Sequence, residues 1–353
     1  MFDVITIGTA TKDIVLKSSH FKILHSKRGP VKDYEIVPIG SIVDVGDVFF
    51  STGGTAINAA ATFARQGFQT SIVTRVGNDS SADDVRRDCT REGVDITRVI
   101  VDGSYATAHS IILLHNSGER TIFAHKGACQ HWEPRDFHRK ALDARWFYIG
   151  SLGGNFEALE EIIAIARKHN IRVAMNLGPE ELRLPHKLVP HLFSIDVLIM
   201  NREEGALLTG VSVENESEIF KRIDELEPGI FVLTDGAKGA WVSDGARRYK
   251  AGIYDERSIV DRTGVGDAFG SGFVSGIMRR LNEKSRVSEN NATVRDLEPS
   301  DIAYAIRLGS ANATACIEGV GAKHGLLTRH QFEKGLHWHG LEIRMGDIAH
   351  KNI

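Results

Sequence analysis

From Ser258 to Met278 the chain reads SIVDRTGVGDAFGSGFVSGIM. Gly264 and Gly266 flank a single valine, Asp267 follows, and an apolar run of small residues begins at once. Glycines let successive backbone N–H groups turn toward one point, and the start of a helix adds a partial positive charge there. Such a cradle stabilises an anion, for example a phosphoryl group in transit. A carboxylate beside an anion is misplaced unless it accepts the proton of a hydroxyl that attacks phosphorus. The local sequence leaves a second reading open, a helix cap with an acidic first turn. Other glycine-loop patterns fit worse. No GxxxxGK[ST] string occurs, and GxGxxG would need glycine where Phe269 stands, so a dinucleotide-binding oxidoreductase is disfavoured.

More residues elsewhere suit the same chemistry. Asp13 follows the first apolar run, and a carboxylate there accepts hydrogen bonds from adjacent hydroxyls of a polyol. Gly53 and Gly54 permit close backbone approach, and Asn58 offers both a donor and an acceptor at the start of the next helix. Arg120, in SGERTIF, reads equally well as a residue reaching into a site or as a turn flank. Asn201–Glu204 (NREE) is either a pair holding Mg²⁺ through water or an Asn turn before an acidic helix start.

The elements that must position these residues alternate. DVITIGTA, TSIVTRVG, RWFYIGSL, IRVAMNLG, DVLIMN and GIFVLTDG read as buried strands, and helices are expected between them. That alternation predicts a mostly parallel sheet covered by helices on both faces. GAWVSDGARRYKAG reads as a hairpin, and long helices are expected over about 266–281 and 300–318, joined by a polar surface loop. SSADDVRRDCTREG reads as a helix with a serine cap. The β-rich segments of about 14–50 and 98–126 break the pattern. The second reads as a meander of RVIVDG, HSIILLHNSG and RTIFAHKG with a turn near Asn116–Gly118, and the two segments together predict a small lid on a single 1–353 domain.

Composition narrows the class. A 42% hydrophobic share is enough for a large core, and a net charge of −3 gives no sign of a nucleic-acid-binding surface. Cys89, Cys129 and Cys316 are widely spaced and read as reduced thiols of a cytoplasmic protein. The N-terminus reads as no signal peptide, and no stretch approaches a membrane span.

Taken together, the motifs resemble those of the ribokinase-like (PfkB-type) carbohydrate kinases. DRTGVGDAFGSGF is similar to their C-terminal signature, and STGGTAINAAATFARQGFQTSIVTRVGND to their N-terminal one. NREE, LTDGAKGAW and SANATACIEGVGA resemble their Asn-x-x-Glu motif, their nucleotide-binding turn and the helix and loop beside the adenine. The matches run from about Asp3 to Leu327 in the expected order, and the last 25 or so residues lie outside them. The resemblance implies a three-layer α/β sandwich with a β lid and an ATP-dependent kinase acting on a hydroxyl of a small sugar. It implies that Asp267 is the general base and that Gly264, Val265 and Gly266 grip the γ-phosphate through their amides. Asp13, Gly53, Gly54, Asn58 and Arg120 would meet the substrate. Asn176, Thr234, Gly236, Gly239, Asn312 and Gly321 would meet the nucleotide. Asn201 and Glu204 would hold Mg²⁺ through water, and Asp261 with the Thr263 carbonyl would hold a monovalent cation such as K⁺.

The departures concern the substrate. Thr11 and Thr55 stand where ribokinases proper carry Asn and Lys, and SLGGN replaces a segment with a ribose-contacting Glu. Ribose is therefore in doubt, and another sugar, a sugar acid or a nucleoside fits. A nucleoside kinase of the same fold and a non-catalytic sugar or nucleotide sensor are the alternatives. The apolar SIVDVGDVFF predicts homodimerisation through the lid. His337, His339 and His350 read as ordinary tail histidines rather than as a metal site.

Overall fold

Apolar runs that must bury both faces cannot stand alone, and in the computed structural model they pair side by side. The structure describes all residues except 26–32, 38, 41, 116–118, 139–141, 227, 289–291 and 348–353. Nine strands form the central sheet, in the order 343–347, 247–251, 240–243, 230–234, 197–201, 172–175, 144–149, 2–7 and 70–73. The run from Thr70–Val73 to Ile230–Thr234 is parallel throughout. The remaining strands are antiparallel, and the last of them, Ile343–Asp347, comes from the C-terminal segment.

Helices cover both faces, which gives three layers. On one face Leu159, Ile162 and Ile219 from the helices Phe156–His169 and Glu216–Asp224 pack against strand residues such as Phe147 and Leu198. On the other, Phe63, Phe273 and Ile306 pack against Tyr148 and Ile199. They come from the helices Thr55–Arg65, Val265–Ser288 and Pro299–Ile317. Small residues set how closely the last two approach: a Cβ at Gly276 would lie 2.6 Å from Ala305 Cα.

A second sheet has the order Arg120–His125, Ala108–Leu114, Thr11–Lys17, Asp47–Gly53. Its register puts Asp13, Ser51, Ser110 and Ala124 on one face and Ile14, Phe50, Ile111 and Phe123 on the other. Parallel strands that end at one edge of the main sheet leave their C-terminal ends free for a site, as open α/β sheets do. This small sheet projects from that edge.

Some expectations need correction. The expected meander loses its first strand, because Ile100–Asp102 pairs in parallel with Arg75–Gly77. TSIVTRVG splits into Thr70–Val73 and Arg75–Gly77. The cap of helix Ser80–Arg91 is Asp79, which accepts from Ala82 N, rather than a serine. The helix after the glycine loop continues through Asn282–Ser288, where a surface loop was expected. The turn at Asn116–Gly118 lies outside the described residues.

Candidate active site

Asp267 is the third residue of the helix Val265–Ser288, at the C-terminal edge of the sheet. Its Oδ2 accepts an N–H from Asn58 Nδ2 at 2.8 Å. Burial raises the Asp267 carboxyl to about 6, the Asn58 bond pulls it down, and the charge of Asp13 pushes it up. Asp13 is nearly buried and also raised by burial, with hydrogen bonds from Thr11 and Ser110 and the charge of Lys323 acting against that. Thr11 Oγ1 donates to Asp13 Oδ1 at 2.7 Å. Asn58 Oδ1 is buried and accepts no hydrogen bond among the described residues. An amide acceptor and two carboxylates thus face one space, a donor-seeking arrangement suited to a polyol.

The glycines of this space have separate reasons. A Cβ on Gly53 would lie 2.1 Å from Asp13 Oδ2, so no side chain fits there while the carboxylate keeps its place. Gly264 adopts φ +75°, and a Cβ on it would collide with Ala322 Cβ at 2.3 Å. Gly266 meets nothing within 4 Å. Its amide and those of Val265 and Asp267 belong to the first turn of a helix, whose N–H groups have no intrahelical acceptor. The loop supplies an anion cradle open on the Asp267 side.

Asp261 shapes that cradle. It is fully buried, with Oδ1 accepting from Thr263 N at 2.8 Å and Oδ2 from Gly321 N at 2.9 Å. Both Asp261 oxygens thus clamp two loops together, and the Thr263 carbonyl lies 3.7 Å from Cys316 Sγ, which donates to it. Gly321 lies beside Ser51 of the lid and is held through its amide.

Asn201 and Glu204 form a capping box: Asn201 Oδ1 accepts from Glu204 N, and Glu204 Oε2 from Asn201 N, both at 2.8 Å. Glu204 is raised to about 7, chiefly by burial, opposed by its bond from the Asn201 amide and then pushed up by the charges of Asp267, Glu203 and Glu181. A divalent cation would relieve that accumulation of negative charge. No cluster of three or more His, Cys, Asp or Glu poised to hold a metal directly exists among the described residues. Metal held through water and through substrate phosphates fits this donor set.

Of the residues expected to meet the nucleotide, Thr234 lies opposite Asn201 in the parallel register. Gly236 opens the short turn Gly236–Lys238 with φ +51° and nothing within 4 Å. Gly239 has a packing reason, since a Cβ would lie 2.1 Å from Ala251 O. Asn176 Nδ2 bonds the Tyr148 hydroxyl at 3.3 Å, near Gly270 of the glycine-loop helix. Asn312 departs from expectation. It is fully buried, its Nδ2 donates to Ala268 O and Thr62 Oγ1, and its Oδ1 accepts from Leu327 N at 2.9 Å. It ties the glycine-loop helix to the chain after Pro299–Ile317.

Arg120 shares a face with Asp13 but sits four residues along its strand from Ala124, the residue in the Asp13 row. Its Nε is buried without a partner among the described residues. The adjacent Glu119 bonds Arg262 at 2.9 Å, so the lid tip touches the glycine loop through a residue expected to be solvated.

Several contributors had no sequence signal. Lys323 is buried, and its Nζ donates at 2.6 Å to both Thr52 O and Thr52 Oγ1 and also meets Asp88. It anchors the lid strand one residue before Gly53. Glu181 is buried and accepts from Leu152 N and Gly154 N, which holds the SLGGN loop. Ser51 and Ser110 join Asp13 on its face by strand register alone.

Residues 31–329 match the pfkB family carbohydrate kinase profile. The ribokinase of Haemophilus influenzae is 27% identical over 287 residues, covering 79% of this chain and 85% of its own. The bifunctional ribokinase/ribose-5-phosphate isomerase A of Fructilactobacillus sanfranciscensis is 26% identical over 282 residues, and the chain spans 48% of that protein's length and 78% of its own. Among solved structures, the Arabidopsis thaliana ribokinase complexed with ribose and ATP superposes with a TM-score of 0.67 at 19% identity, covering 94% of this chain and 98% of that one. At that identity the superposition establishes the fold, a ribokinase-like α/β sandwich.

Proposed function

Because the chain belongs to the pfkB family of carbohydrate kinases, we propose that it transfers the γ-phosphoryl group of ATP to a hydroxyl of a small neutral polyol, with Asp267 as the base. The observation that carries this reading is the placement of Asp267. It stands in the first turn of a helix behind a glycine cradle, raised to about 6, with Asn58 and Asp13 beside it. A base poised near neutrality accepts a hydroxyl proton as the oxygen attacks phosphorus. The amides of Val265, Gly266 and Asp267 then meet charge that builds on the transferred group.

The acceptor is held on the lid side. Asp13, Ser51 and Ser110 share the face turned toward it, and Asn58 adds a free acceptor. Two carboxylates on one pocket repel an anionic acceptor, which favours a neutral sugar or a nucleoside ribose over a sugar acid. Thr55 packs tightly: a Cβ on Gly150 would lie 2.2 Å from its Oγ1. It is a neutral group where the family's ribokinases proper carry Lys.

Glu204 and Asn201 would hold Mg²⁺ through water, and the ion would neutralise the phosphate charge. The lid supplies water exclusion, since the Glu119–Arg262 pair joins its tip to the glycine loop. The outer lid face carries Phe50 at 66% and Phe123 at 58% exposure, in one row with Ile14 and Ile111. A second copy of the chain covering that row gives a homodimer. No described helix is long and apolar enough to cross a membrane, and three buried free cysteines accord with a reducing cytoplasm.

The test is a panel of sugars, sugar acids and nucleosides in a coupled ADP-release assay. The reading expects turnover of at least one neutral polyol and a loss of it in Asp267→Asn. Binding of a polyol with no phosphorylation of any candidate would replace the kinase with a sensor.

A further inference from the structure

The chain after residue 329 lies outside the matched family region, yet it is built into the molecule. Thr328 caps the helix Arg329–Lys334, the turn Leu336–His339 follows, and Ile343–Asp347 becomes the edge strand of the main sheet. Phe332 is fully buried, and Trp338 meets Tyr254 edge-on with ring centres 5.0 Å apart. The Tyr254 hydroxyl donates to the Trp338 carbonyl.

This segment closes one side of a cavity of about 1010 Å³. The other side is made of Lys238, Tyr254, Arg257, Ala315 and Glu318. Lys238 ends the Gly236 turn. Residues 252–260 lead directly into Asp261 and the glycine loop, and they are fastened to the end of helix Pro299–Ile317 by Val260 N to Ile317 O at 2.9 Å and Arg257 N to Glu318 Oε1 at 2.7 Å. The cavity therefore borders the segment that runs into the cradle. Its volume suits a nucleotide. It offers the rings of Tyr254 and Trp338 and the cations Lys238, Lys250, Arg257 and Arg344, beside the carboxylates Asp255, Glu318 and Glu342. Meanwhile Asn312, expected to meet the base, spends its amide inside the protein. A further group beside the base would add to its recognition.

We propose that the C-terminal segment, through Trp338 with Tyr254, forms the outer wall of the pocket for the base of the donor nucleotide and sets which nucleotide is accepted. The proposal rests on the phosphotransfer reading above. An aromatic wall gains stacking energy with any base and loses it when truncated. Trp338 is a specificity-determining residue here; it touches no reacting atom.

Two measurements on the full chain test this. The first is hydrogen–deuterium exchange with and without ADP. Slowed exchange over 336–344 together with 234–239 is the expected result, and slowing at 234–239 alone overturns the proposal. The second is ADP titration by calorimetry. Trp338→Ala should weaken ADP binding about tenfold, leave the KM for the acceptor unchanged, and narrow the preference between ATP and GTP. Trp338→Phe, which keeps a ring and the packing, should recover most of the affinity. Parent-like ADP affinity in folded Trp338→Ala overturns the proposal; should that variant not fold, Trp338→Phe and the exchange data decide. If the parent chain binds no ADP, the phosphotransfer reading itself fails along with the wall.

Discussion

Asn58 and Asp267, 209 residues apart in the chain, are joined by an N–H···O hydrogen bond of 2.8 Å. The bond links the start of the alanine-rich helix to the first turn of the glycine-loop helix. It also sets the basicity of Asp267, because a donor to the carboxylate favours its charged form. Removing the donor by Asn58→Ala should therefore raise the Asp267 pKa by about one unit, since a hydrogen bond to a charged group is worth about 1.5–3 kcal/mol. The acid limb of kcat/KM against pH would move upward by that amount. An unmoved limb would show that the bond does not tune the base.

Asp267→Asn should lower kcat by about a thousandfold, the usual scale for loss of a general base, while ADP binding persists. The same substitution should stabilise the protein at high pH. The folded-state pKa of Asp267 lies above its ordinary value of 3.8, at about 6. Its contribution to stability is thus fully present below the unfolded value and is lost as pH rises through about 6. Solvent reaches part of the group, so the gain at pH 8 is on the order of 2 kcal/mol or less. Thermal melts of both proteins at pH 3.5, 5 and 8 read it as a gap that is smallest at pH 3.5, already open at pH 5 and widest at pH 8.

Parent activity should rise with pH up to about 6, tenfold per unit, and level above that, because only the unprotonated Asp267 accepts the hydroxyl proton. Glu204, raised to about 7, adds a second dependence. Apparent Mg²⁺ affinity should strengthen as pH rises through 7, since the metal competes with a proton. Mg²⁺ titrations of the rate at pH 6, 7 and 8 would register this, and Glu204→Gln should flatten the trend.

Gly264 and Gly266 should respond differently to alanine. Gly264→Ala forces a Cβ against Ala322 in a left-handed backbone, so its thermal midpoint should fall along with activity. Gly266→Ala meets open space in the protein and should leave the melt unchanged. It should raise the KM for ATP several-fold if the phosphate lies against that amide. Equal effects in both variants would remove the cradle from the mechanism.

The outer lid row makes a prediction about assembly. Light scattering should give twice the 38.8 kDa mass of one chain, and Phe50→Glu should reduce it toward the monomer by placing a charge in the buried row. A monomeric parent at micromolar concentration would count against the dimer.

The sequence by itself determined the parallel α/β order and the identity of the residues at the strand ends. These are local matters. Strand and helix periodicity, glycines at loops, and the place of Asp13, Asn201 and Thr234 just beyond apolar runs are all written within short stretches of chain. Only the tertiary structure decided which way each side chain turns. Asn312 and Asn58 both lie on helices among small residues, yet one faces inward to Ala268 and Leu327 and the other reaches Asp267. Packing of two helices against each other selects that direction, and no short window of sequence contains both helices. Lys323 under the lid, and the tail strand on the sheet edge, were hidden for the same reason: their partners lie 271 residues away for Thr52 and across an antiparallel ladder for Ile343–Asp347. A buried charge declares itself only where its acceptors converge, and that convergence is a property of the folded chain.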